Sequence, residues 1–164
     1  MRINPEHIKG IVKLANGSGY LRLLSITIAE LGTGFSVVKM ALGEKHLNLA
    51  GEVHGGAYSS LVDTAAYWAL YCDLDDASGL ISIDVNVNLL SITKNGVLVA
   101  EGKRIKSGRS ICMAEAKVFD SNDRLVAYGT SKLMVSKAVS AIQQAQQSLN
   151  LALLPPKFLE DGTK

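Results

Sequence analysis

Apolar positions recur in two rhythms along this chain, one of about 3.6 residues and one of 2, and the switches between them mark its elements. Residues 5–15 carry the helical rhythm: Asn4 suits an N-cap, Pro5 fits the first helical position, and Asn16-Gly17 ends the run. From Leu21 to Leu42 the period is 2. Ile26 and Ile28 alternate with Ser25 and Thr27, then Gly32-Thr33-Gly34 turns the chain into Phe35 and Val37, so a β-hairpin is expected. Residues 43–52 read as a loop. The helical rhythm returns from about Val53 to Leu74, with Tyr58, Leu61, Val62, Ala65, Ala69 and Leu70 in phase. Most sides of that helix are apolar, and Ala65-Ala66 permits close backbone approach. Such a helix is covered rather than laid on a surface, and a sheet is expected to wrap it.

The strands of that sheet follow. From Ser82 to Leu89 the alternation is unbroken, setting Ile83, Val85, Val87 and Leu89 on one face and Asp84, Asn86 and Asn88 on the other. Residues 96–105, 110–119 and 124–134 predict further strands. The links around Thr93–Gly96, Lys106–Arg109 and Asp120–Asp123 are short and turn-rich, as antiparallel hairpins require. In the strand at 110–119, Cys112, Ala114, Ala116 and Val118 form a small-residue face suited to lie against a helix. Residues 138–152 read as a helix stopped by Pro155-Pro156, and the polar remainder as a loose tail. The order predicts an α+β fold, one curled antiparallel sheet around a long central helix. Residues 1–136 form a single domain with a short N-terminal helix, and 137–164 a C-terminal helix and tail.

Composition narrows the class. A chain of 164 residues fits one domain with a sizeable core, and 48% hydrophobic with 20% charged residues excludes wholesale disorder. A net charge of +2 decides nothing about a charged partner, but 5% aromatics with no basic run interleaved with them argue against a dedicated nucleic-acid surface. Cys72 and Cys112 have neither metal-ligand nor disulfide-framework spacing, so they read as buried free thiols suited to a reducing compartment. The N-terminus has no apolar signal core, and no segment reaches the roughly 20 apolar residues that span a bilayer. A cytoplasmic location follows. His7, His46 and His54 are scattered, so no metal site is expected, and there is no Gly-x-Ser-x-Gly elbow.

Candidate chemistry concentrates between Asn48 and Asp63. His54-Gly55-Gly56 opens the long helix, where glycines leave backbone N–H groups accessible and the helix dipole adds partial positive charge. Such a place holds a carbonyl oxygen that turns negative during reaction. Asp63 sits two turns inside the same helix and supplies a base or nucleophile. Together these point to acyl chemistry. The alternative reading of Asp63 is a solvated residue, since Ser59, Ser60 and Tyr67 beside it are partly polar. His54 invites a general-base role, against which stands the plainer one of shaping the turn. Glu44 and Glu52 read as loop solvation. Lys103, Arg104, Lys106 and Arg109 form either an exposed basic edge or a phosphate contact.

Asn48, His54-Gly55-Gly56, Asp63, the strand from Ser82 to Asn86 and the turn Lys106-Ser107-Gly108-Arg109, in this order of elements, resemble the hotdog-fold acyl-CoA thioesterases. The phenylacetate-degradation (PaaI)-type branch is the nearest in look, over roughly residues 20–135. The resemblance implies that Gly55 N–H polarises the thioester carbonyl, while Asn48 helps to hold that carbonyl or the attacking water. It makes Asp63 the nucleophile or general base, reaching in from a neighbouring subunit, with Ser82 orienting it. His54 belongs to the same candidate machinery, with Gly56 and Tyr67 lining the substrate. Tyr67 departs from the small hydroxyl residue found one turn after the carboxylate in relatives. Ser107, Gly108 and Arg109 would contact the coenzyme. No metal or redox cofactor is implied, coenzyme A entering only as part of the substrate. Two-fold dimers, paired into tetramers, are implied as well. The alternatives are a hotdog acyl-CoA hydratase or dehydratase and a non-catalytic acyl-CoA-binding module.

Overall fold

A computed structural model of the protein describes residues 2–137 and 154–160. Asn4, in extended backbone at φ −80° and ψ 115°, accepts the Glu6 N–H on its side chain and starts α1 (Pro5–Asn16). A second short helix, α2 (Gly19–Leu23), follows where the alternation predicted strand. Then β2 (Ile26–Gly32) and β3 (Phe35–Ala41) pair as the expected hairpin. The central helix α3 spans Gly55–Tyr71. After it come β4 (Gly79–Leu89), β5 (Val97–Lys106), β6 (Ile111–Phe119) and β7 (Leu125–Ser136).

These strands form one antiparallel sheet in the order β2-β3-β5-β6-β7-β4. The order corrects one expectation. The link through Thr93–Gly96 is no hairpin, because β4 pairs with β7 at an edge and β5 pairs with β3 and β6 inside the sheet. Turn-forming residues show that a chain reverses, not which strand it then meets.

Small residues let the sheet close on α3. Ala66 and Ala69 share a fully buried cluster with Cys112 and Ala114 of β6, as the small-residue face predicted. At Gly102 of β5 a Cβ would collide with the Ala65 carbonyl oxygen, so only glycine fits there. Beside it, the buried hydroxyl of Ser36 donates to the same carbonyl at 2.7 Å. Leu61, Val62 and Leu70 fill the remaining space with no exposed surface, each burial stabilising by about 1.5–3 kcal/mol.

The expected C-terminal helix at 138–152 lies outside the described residues. The tail beyond it, expected to be loose, is docked over residues 154–160. There β8 (Phe158–Leu159) pairs antiparallel with β1 (Arg2–Ile3), and Asn4 Nδ2 donates to the Pro156 carbonyl at 2.9 Å. His7 Nδ1 lies 2.6 Å from the Pro155 carbonyl and His7 Nε2 lies 2.7 Å from the Tyr71 hydroxyl. A carbonyl only accepts, so the His7 proton sits on Nδ1 and Tyr71 donates to Nε2. Lys157 is 3% exposed. Its ammonium donates to the carbonyls of Tyr71, Leu74 and Asp75 at 3.3, 3.0 and 3.3 Å and stands 4.2 Å over the Tyr71 ring. A cation on the Tyr71 carbonyl in the last turn of α3, and on two carbonyls just past it, complements the helix dipole. Burial lowers the Lys157 pKa, which the nearby Asp76 and other groups oppose.

Removing this cap should loosen the whole end of the domain. Lys157→Ala leaves three carbonyls without their charged donor. A loss of about 2 kcal/mol is expected, since hydrogen bonds to charged groups contribute about 1.5–3 kcal/mol. That corresponds to a fall of roughly 4–8 °C in Tm for a chain of this size. Thermal unfolding followed by circular dichroism checks it, and an unchanged Tm would show that the docked tail carries no stability.

Candidate active site

α3 begins at a residue that shapes it. His54, extended at φ −64° and ψ 139°, is the N-cap, and its Nδ1 accepts the Gly56 N–H at 2.9 Å. The ring is therefore neutral on Nδ1, with its proton on Nε2. The His54 carbonyl accepts from Ala57 N at 2.9 Å, and the His54 N–H donates to the His46 carbonyl at 2.8 Å. With Gly56 committed to the cap, the N–H of Gly55 has no hydrogen-bond partner among the described residues. It carries the partial positive charge of the helix start, and Gly55 lies close to the C-terminal end of β4, where Leu89 Cδ1 is 3.2 Å from the place a Gly55 Cβ would take.

Asp63 stands two turns further on. Its Oδ1 accepts from Ser82 Oγ at 2.8 Å. Strict alternation along β4 would put Ser82 on the outer face with Asp84. A β-bulge between Ser82 and Asp84 prevents that: Ser82 pairs with Leu133 and Asp84 with the next residue back, Lys132, leaving Ile83 extra. Leu80 and Ser82 then face α3 on one side of the bulge, and Val85 and Val87 face it on the other. Asp84 stays outside, where it pairs with Lys132 at 3.2 Å, an exposed contact of little energetic weight.

Asp63 opens into a cleft of about 440 Å³, bordered by Tyr67, Trp68 and Val85 on one side and by Tyr20 and Ser60 on the other. The Tyr67 and Trp68 rings meet edge to face at 5.3 Å between centroids. Burial, and then the Asp63 charge, raise the pKa of Tyr67, so its phenol is a neutral donor beside the carboxylate. Nothing in the sequence marks Tyr20, Ser60 or Trp68 as part of the cleft. Tyr20 reaches it only because α2 folds back over α3, a contact spanning 40 positions of chain.

The other expected site residues lie apart from Asp63. Asn48 Oδ1 accepts from Ala50 N at 2.9 Å and Glu52 N at 3.1 Å, ordering its own loop. Ser107, Gly108 and Arg109 form the β5–β6 turn. Ser107 shares a second cleft, of about 570 Å³, with Cys72 and Asp73 beyond the C-terminal end of α3. In the basic cluster, Arg104 pairs with Asp73 at 2.7 Å. Burial raises the Asp73 pKa, and Arg104 opposes the rise. Arg109 is exposed and makes no hydrogen bond or ion pair among the described residues. Gly55 and Asp63, eight residues apart on one rigid helix, are separated by about 12 Å along its axis. A single chain does not bring them to one carbonyl.

The architecture and the sequence agree on a class. The family described as the thioesterase superfamily matches residues 50–127. Acyl-coenzyme A thioesterase 13 of Homo sapiens is 30% identical over 127 residues, covering 76% of this chain and 88% of that protein. A 1,4-dihydroxy-2-naphthoyl-CoA hydrolase of Listeria monocytogenes is 24% identical, covering 73% of this chain and 97% of that one. Among solved structures, a thioesterase of Haemophilus influenzae superposes with a TM-score of 0.72 at 22% identity, covering 78% of this chain and 89% of its own. The chain belongs to the thioesterase superfamily and has its hotdog fold. It is by class a thioester hydrolase.

Ser82 gives the first test. Ser82→Ala removes the donor to Asp63 from an exposed position, so stability should change by no more than about 0.5 kcal/mol. The kcat for thioester hydrolysis should fall about tenfold, because a mispositioned catalytic group loses rate steeply. Equal kcat in the variant would remove Ser82 from the site.

Proposed function

We propose that the protein hydrolyses an acyl-CoA thioester to a free acid and coenzyme A, at a site built from Asp63 of one subunit and Gly55 of another. The Asp63 carboxylate, tied to Ser82 and open to a cleft, carries this reading. Asp63 acts as nucleophile on the carbonyl carbon or as general base on a water. The Gly55 N–H holds the oxyanion of the tetrahedral intermediate, and Asn48, whose loop leads into the same helix start, helps to hold the carbonyl or the water. A thiol with a pKa of about 8.5 leaves readily as a thiolate, so one carboxylate and one oxyanion donor suffice. His54 sets the helix start through its cap, and Gly56 holds that cap in place. The rival hydratase reading asks a histidine to move protons, and with Nδ1 of His54 engaged by Gly56 only Nε2 would be left to do so.

The site requires a dimer, and β4 offers the means. It lies at the edge of the sheet, and Ile83, Val85 and Leu89 along it are 54%, 39% and 56% exposed. Unpaired edges with apolar side chains invite pairing. Along β4, Ser82 stands by Asp63 and Leu89 by Gly55. In the proposed register of antiparallel pairing between β4 and its own copy, Ser82 stands opposite Leu89 of the partner subunit, which brings Asp63 toward the partner's Gly55. This isologous arrangement yields two equivalent sites. On the outer face Ile81, Met134 and Ile111 form one register row of exposed side chains, a surface for stacking dimers into a homotetramer.

Ser107, Gly108 and the unpaired Arg109 are the proposed contacts for the coenzyme phosphates, whose charge suits a guanidinium on a turn that lets backbone approach. No cofactor enters beyond the coenzyme A of the substrate. The two free, buried thiols fit a reducing cytoplasm. Among the described residues no helix is long and apolar enough to cross a membrane.

Two substitutions separate the roles. Asp63→Asn should fold normally and lose 10²-fold or more in kcat, in the range of acid–base residues. Gly55→Pro deletes the oxyanion N–H while placing proline at the first helical position, where it is favoured; the extended His54 accommodates it. A loss of about 10²–10³-fold in kcat with an intact circular dichroism spectrum is expected. Thiol release from acyl-CoA at near wild-type rate in either variant would refute that residue's role.

A further inference from the structure

We propose that Tyr20 gates the acyl end of the Asp63 cleft and limits the substrate to acyl chains of about six carbons; this rests on the thioesterase reading above. The Tyr20 hydroxyl lies 2.7 Å from Ser60 Oγ, tying α2 to α3 across one end of the cleft. The Ser60 hydroxyl donates its own proton to the Gly56 carbonyl at 2.9 Å. Tyr20 is therefore the donor in the link and Ser60 the acceptor. A single neutral hydrogen bond at the surface holds a ring that is itself 57% exposed, which makes the closure movable.

The direction of the substrate follows from the turn that meets the coenzyme. Ser107 lies beside Cys72 and Asp73, past the C-terminal end of α3. A coenzyme held at that turn approaches Asp63 from the Tyr67 side, so its acyl group points toward Ser60 and Tyr20. From Asp63 back to Ser60 or Ser59 the helix rises about 5 Å. An extended chain built from 1.52 Å bonds advances about 1.3 Å per carbon, so roughly four methylenes beyond the carbonyl reach the Tyr20–Ser60 link. Val85 supplies an apolar wall on the way. A longer chain meets the Tyr20 ring and has to displace it.

The test is a length profile of kcat/KM over acetyl-, butanoyl-, hexanoyl-, dodecanoyl- and hexadecanoyl-CoA. It is measured on the full chain and on Tyr20→Ala, Tyr20→Phe and Ser60→Ala, each checked for folding by circular dichroism. The wild type should act on hexanoyl-CoA and fall at least about tenfold from hexanoyl to dodecanoyl. Tyr20→Ala should raise the dodecanoyl-to-hexanoyl ratio by about tenfold or more. Tyr20→Phe and Ser60→Ala, which free the ring without removing it, should raise the ratio by less. Should Tyr20→Ala fail to fold, the rise in the two milder variants decides. A wild type equally active on dodecanoyl and hexanoyl substrates, or a ratio unmoved in the folded variants, overturns the gate and leaves the thioesterase reading standing. Absence of hydrolysis of every thioester by folded wild type overturns that reading, and the gate with it.

Discussion

Ala66 and Ala69 of α3 share one buried cluster with Cys112 and Ala114 of β6, and the Ala65 carbonyl lies against Gly102. That close contact fixes the helix in the sheet, because interiors packed to this density do not yield by fractions of an ångström. A helix held so rigidly keeps its own spacings. The bare N–H at Gly55 and the carboxylate of Asp63 stay about 12 Å apart, with no route to one substrate atom within a chain. The composite site proposed above rests on this constraint, and the exposed apolar edge of β4 is the surface proposed for the partner.

The two ends of α3 are treated in opposite ways, and the difference matches the proposed chemistry. At the C-terminal end a buried ammonium, Lys157, covers the Tyr71 carbonyl and two carbonyls just past the helix, and draws the tail onto the domain. At the N-terminal end only one donor is covered by a side chain, Gly56 by His54, and the neighbouring Gly55 N–H is left bare. The stabilised end belongs to folding. The unsatisfied end is where a negative oxygen is worth most.

Much of this was legible in the residues, and the failures have physical causes. Helix and strand positions followed from periodicity, and the small face of β6 from Cys112 to Val118, because a buried helix imposes those patterns on any sequence that packs around it. The pairing of β4 with β7 was not legible, since strand order is decided by contacts distant in sequence. Ser82 shows the limit most sharply. Its alternation pointed away from the helix, and only the extra residue at Ile83 turns it inward to Asp63. Nothing local announces a bulge in an unbroken alternation. Lys157 in a polar tail looks solvated, and Tyr20 in a five-residue helix looks incidental, because what each touches lies far away in the chain. Asn48, Gly56 and Arg109 were legible as candidates from spacing and resemblance, whereas what they do depends on a second subunit and a substrate.

The central claim is that each site is shared between two chains, and subunit complementation tests it most directly. Asp63→Asn and Gly55→Pro chains are each inactive, yet a mixed dimer contains one site with both wild-type groups. Refolding or co-expressing the two together should restore acyl-CoA hydrolysis to about a quarter of the wild-type rate: random pairing makes about half the dimers mixed, each with one working site of two. Activity that stays at the level of the separate variants, in a mixture shown to exchange subunits, would contradict a shared site and with it the proposed role of the β4 edge.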